Sequence, residues 1–60
     1  MSDKDVGRWV RWMRNGVMML GRLIRLRSGQ IRIRALTGGL YNPFKLRGFM
    51  FEPYPELFVS

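Results

Sequence analysis

Nine arginines and two lysines dominate the chemistry open to this 60-residue chain. Four carboxylates oppose them, and they sit at the two ends: Asp3 and Asp5, then Glu52 and Glu56. Between Val6 and Phe51 there is no acid at all, while Arg8, Arg11, Arg14, Arg22, Arg25, Arg27, Arg32, Arg34, Lys45 and Arg47 all fall there. Uncompensated positive charge of this density repels itself and attracts nucleic acid, anionic lipid or acidic protein. Arginine suits this role better than lysine, because its planar fork meets phosphate or carboxylate through two nitrogens.

Catalytic chemistry has little material. The chain has no His and no Cys, which removes the commonest general base and the most nucleophilic side chain. Ser2, Ser28, Thr37 and Ser60 have no base motif beside them, and Glu52 and Glu56 lie in a proline-rich segment. Four carboxylates at opposite ends are a poor ligand set for a transition metal. Gly38-Gly39-Leu40-Tyr41-Asn42-Pro43-Phe44-Lys45 mixes glycines, aromatics and a base. It lacks the GxxxxGK[ST] spacing of a phosphate loop. Tyr41 and Phe44 there either stack on nucleic-acid bases or, the preferred reading, fill the core. No enzyme and no cofactor is expected.

The elements that must carry these residues divide near Ser28-Gly29. Placed at 100° per residue, Val6, Trp9, Val10, Trp12, Met13, Val17, Met19, Leu20, Leu23, Ile24 and Leu26 fall on one broad half. Arg8, Arg11, Arg14, Asn15, Arg22 and Arg25 fall on the other. This reads as an amphipathic helix over residues 3–27, capped by Ser2 or Asp3 and stopped by Gly29. Gly16 and Gly21 oppose it by up to about 1 kcal/mol each. Beyond Gly29 the period becomes two. Gln30-Ile31-Arg32-Ile33-Arg34-Ala35-Leu36 alternates as a half-buried strand does. Thr37-Gly38-Gly39 reads as a turn, with short strands expected near residues 40–44 and 49–51. Pro53 and Pro55 impose an extended tail, followed by the apolar stub Leu57-Phe58-Val59. The expected fold is therefore α+β: one N-terminal helix, two to four short strands and an extended C-terminal tail, in a single small domain spanning 1–60.

Sixty residues bury only about 60% of their unfolded surface, and small chains add a disulfide, a metal or a partner. With no Cys or His, a partner is the remaining option. The chain is 47% hydrophobic with eight aromatics, too apolar for a disordered basic tail. No window approaches the roughly 18 apolar residues of a membrane span, and no signal-peptide pattern is present. Synthesis in the cytoplasm and incorporation into a particle or complex is the expectation.

The leading functional expectation is a structural or accessory subunit of a larger assembly, such as a virion or a membrane-associated complex, or a homo-oligomer. Trp9, Trp12, Phe49, Phe51, Tyr54, Leu57 and Phe58 would face that protein partner. The alternative is nucleic-acid binding through Arg8, Arg11, Arg14, Arg22 and Arg25 on one helical face, extended by Arg32 and Arg34 on the strand. A helix lying in an anionic membrane surface is a third reading.

Overall fold

The computed structural model describes residues 2–58. Among them lies a five-stranded antiparallel sheet and no α-helix. The strands are β1 (Trp9–Arg14), β2 (Val17–Arg25), β3 (Ile31–Ala35), β4 (Leu40–Tyr41) and β5 (Met50–Phe51). Their spatial order is β4-β3-β2-β1-β5, a meander whose last strand returns to the free edge of the first.

The expected helix over residues 3–27 is thus replaced by the β1–β2 hairpin. The decisive residues are Asn15-Gly16. The register pairs Arg14 with Val17, so these two residues form the entire loop. Both take positive φ, 51° and 79°, as a two-residue hairpin turn demands and as Asn-Gly supplies best. Val10, Val17, Ile24 and the two tryptophans also favour strand over helix. The helical reading arose because apolar residues occupy both faces of the hairpin. Trp9, Met13, Met18 and Leu20 lie on one face; Val10, Trp12, Met19 and Leu23 lie on the other. This hides the period of two.

β2 serves two partners in sequence. Its residues 17–22 pair with β1 and its residues 21–25 with β3. The overlap is Gly21-Arg22. A Cβ built on Gly21 would lie 2.5 Å from Ile33 Cγ2 and 2.8 Å from the Arg34 carbonyl oxygen. Glycine in a strand marks such a close backbone approach.

The inner face holds the core. Val10, Leu23 and Ile33 are fully buried, joined by Trp12 and Ala35. Full burial of an aliphatic side chain of this size contributes about 1.5–3 kcal/mol. Met19, Ile31, Tyr41, Leu46, Phe49 and Phe51 pack around them. Tyr41 meets Trp12 at 5.4 Å between ring centroids, and Phe49 meets Phe51 edge-on at 5.9 Å.

Several local expectations change with this frame. Ser28-Gly29 is the turn between β2 and β3, closed by the Leu26 N–H on the Gln30 carbonyl, and not a helix stop. Ile31–Ala35 is a strand, as its alternation implies. Gly38 and Gly39 turn the chain with φ of 99° and 86°. The tail is not extended throughout: Pro55–Leu57 forms a 3-10 turn. Val59 of the apolar stub lies outside the described residues.

Candidate nucleic-acid interface

The same alternation that buries Ile31, Ile33 and Ala35 sends Arg32 and Arg34 to the outer face. The register then decides their neighbours. Arg34 stands opposite Arg22, and Arg32 opposite Ile24. Arg22 in turn stands opposite Trp9 on β1, and Arg34 opposite Leu40 on β4. A row Trp9–Arg22–Arg34–Leu40 therefore crosses four strands on one face. Two like charges directly opposite on adjacent strands destabilise a sheet, and this face holds no strand carboxylate to offset them.

Local contacts aim this row. The Arg22 Nε–H donates to the Gly7 carbonyl at 2.9 Å. Gly7 has φ of 98°, and its own N–H is held by the Leu23 carbonyl at 2.8 Å. The Arg22 guanidinium sits 5.9 Å from the Trp9 ring centroid. Arg32 donates to the Ile31 carbonyl at 2.7 Å. Arg34 is exposed and has no hydrogen-bond or ion-pair partner among the described residues. Trp9, Arg22, Ile24, Arg34 and Leu36 line a groove of about 370 Å³ here.

The other arginines singled out by sequence are placed differently. They share no helical face. Arg8 pairs with Asp5 at 3.1 Å and lies 3.7 Å over the Phe51 ring. Arg11 faces Glu52 at 3.4 Å, whose side chain is 8% exposed. Arg25 pairs with Asp3. Arg14 donates to the Tyr41 hydroxyl and lies 5.2 Å from that ring. Three of the seven are thus neutralised by the terminal acids, and Arg22, Arg32 and Arg34 are not. At Asp5 the Ser2 backbone N–H, and after it Arg8, hold the carboxyl below the usual carboxylate range.

The aromatic set also separates. Trp9 is half-buried on the outer face, whereas Trp12 is buried in the core and cannot meet a partner. Phe49 and Phe51 cover the core and, with Asp5, Pro43 and Phe44, line a hollow of about 270 Å³. Tyr54, Leu57 and Phe58 are exposed. Phe58 lies beside Arg11. It also lines an apolar groove of about 200 Å³ with Val17, Met18, Leu20 and Leu36.

Sequence reasoning passed over the exposed residues Met13, Val17, Met18 and Leu36. Asn15-Gly16 was the available signal: once it closes a hairpin, Met13 and Met18 become opposite neighbours at its tip. The outer face thus has a basic half at the Trp9–Arg22–Arg34 row and an apolar half at the hairpin tip, with Leu36 lining both grooves.

Among the described residues, no three His, Cys, Asp or Glu side chains gather as a metal site would require. No helix among the described residues is long and apolar enough to cross a membrane. The interfacial-helix reading loses the helix it needs. No family model matches the sequence, and comparison with curated proteins and with solved structures finds no match.

Proposed function

We propose that the protein is a non-catalytic nucleic-acid-binding module that meets phosphate through the outer face of its sheet. One observation carries this reading: Arg22 and Arg34 oppose each other on adjacent strands, with Arg32 next on the same face of β3, and the one carboxylate near this face among the described residues, Glu52, is taken up by Arg11. The repulsion this stores is relieved by a phosphate backbone, which brings regularly spaced negative charge. The role passes from the expected helical face to a sheet face, with Arg22, Arg32 and Arg34 at its centre. The measurement is a mobility-shift titration of the full chain on DNA and RNA across a salt series. The logarithm of the affinity should fall linearly with the logarithm of salt, with a slope of about −0.7 to −0.9 per phosphate engaged. Absence of any shift at low salt ends this reading.

A second reading is favoured by a separate observation. Met13, Met18 and Leu36 are all between 38% and 63% exposed toward the hairpin end of the same face, and Val17 is exposed beside the turn. Apolar surface gathered this way marks protein contact. The protein would then act as an accessory subunit of a larger assembly, with its apolar half on a protein neighbour. Sedimentation of the isolated chain tests this: a sharp, monomeric species at all concentrations with unaltered behaviour in Met18→Lys counts against it.

A further inference from the structure

We infer that the outer-face groove takes one unpaired nucleotide of a single-stranded nucleic acid, with its base on Trp9 and its flanking phosphates on Arg22 and Arg34. This rests on the nucleic-acid reading and narrows it to a strand class and a site.

A surface built for duplex DNA needs cations and hydrogen-bond donors, because a duplex presents phosphates and base edges while its base faces stay in the stack. The groove here has an apolar floor instead. Trp9, Ile24 and Leu36 line it together with Arg22 and Arg34. Cations flanking an apolar, aromatic surface fit a ligand that is both anionic and planar. An unstacked nucleotide is such a ligand, and single strands are bound by basic grooves combined with aromatic stacking platforms.

The dimensions agree. Trp9, Arg22 and Arg34 occupy consecutive strands in one row. The row from Trp9 to Arg34 spans two strand spacings, roughly 10 Å. That matches the scale of one nucleotide and falls short of a duplex, whose major groove alone is about 12 Å wide.

The anchoring agrees as well. Arg22 is held through its Nε to the Gly7 carbonyl, which leaves its terminal nitrogens for a ligand. Arg34 is committed to nothing among the described residues. Trp12 is buried, so Trp9 is the indole available to report on the site.

The test compares an oligothymidine strand, a duplex of matched phosphate number and phosphatidylglycerol vesicles against the full chain. The single strand should bind about tenfold or more tightly than the duplex and should quench tryptophan emission. Trp9→Ala should weaken single-strand binding by about ten- to a hundredfold and duplex binding by much less. Trp9→Phe keeps a stacking ring and should retain most of the affinity while abolishing the quench. If Trp9→Ala misfolds by circular dichroism, the wild-type quench and the Trp9→Phe affinity decide. Equal affinity for strand and duplex, with no quench, overturns the single-nucleotide site and leaves nucleic-acid binding standing. No binding to either polymer overturns both. Binding to vesicles alone overturns both in favour of a lipid surface.

Discussion

Arg22 and Arg34 face each other directly across β2 and β3, and no carboxylate on the sheet separates them. Arg22 is tethered to the Gly7 carbonyl and flanked by Trp9, whereas Arg34 has no partner among the described residues. Such a pair weakens the free protein and is relieved by an anion.

Arg34→Glu converts the repulsive pair into an attractive one. Cross-strand pairs of this kind contribute about 0.2–1 kcal/mol. In a domain this small the melting temperature should rise by about 1–8 °C at low salt. The gain should shrink towards 1 M salt, where screening reaches about 3 Å. The same variant should lose most of its nucleic-acid affinity. Thermal melting at two salt concentrations and the shift titration check the two halves separately.

Gly16→Ala distinguishes hairpin from helix by its sign. In a helix interior alanine would stabilise by up to about 1 kcal/mol. At φ of 79° a Cβ is unfavourable, and the substitution should destabilise by about 1–2 kcal/mol. Asn15→Gly, at φ of 51°, should be close to neutral. Denaturant unfolding of the two variants gives the answer directly.

Gly21→Ala should destabilise for a steric reason alone, since its φ is not among the positive ones. The new methyl would meet the Ile33 side chain and the Arg34 backbone carbonyl. Overpacking of this kind costs about 1–3 kcal/mol. Adding Ile33→Val should recover little, because valine keeps the Cγ2 methyl that meets the new side chain and the backbone contact also remains. Full recovery in the double variant would show that neither contact limits the site.

Asp5 predicts a pH dependence. Its carboxyl is held below the usual range by the Ser2 N–H and Arg8. A depressed carboxylate contributes stability above its unfolded value, near pH 4, and loses it as pH falls through the folded value. Wild type should therefore melt above Asp5→Asn at neutral pH, and the two curves should converge below about pH 4. A difference that persists unchanged at pH 2 would show that Asp5 acts through something other than its charge.

These residues also mark what could be read in advance. The alternation of Ile31-Arg32-Ile33-Arg34 is local and appears in the structure as a strand with two arginines outward. The turn at Gly38-Gly39 is equally local. The first 26 residues misled because Trp9 and Met13 are apolar on the outer face while Val10 and Trp12 are apolar on the inner one. Apolar side chains on both faces of a hairpin break the polar–apolar alternation used to recognise a strand. Asn15-Gly16 carried the correct signal in two residues, against eleven apolar positions that also satisfied a broad helical stripe.

Composition and order alone established a basic chain with its acids confined to the ends, no Cys or His, and an arginine-bearing strand after Gly29. Which arginines remain free was settled only in three dimensions. Asp3 meets Arg25, 22 residues away, and Glu52 meets Arg11 across the β1–β5 pairing. Arg22 and Arg34 meet because β2 and β3 align in one register out of several. Local sequence sets the period of a strand. Register and strand order follow from packing one face against a shared core, a property of the whole chain. The free cations of the outer face are therefore a product of the core that Val10, Leu23 and Ile33 build beneath them.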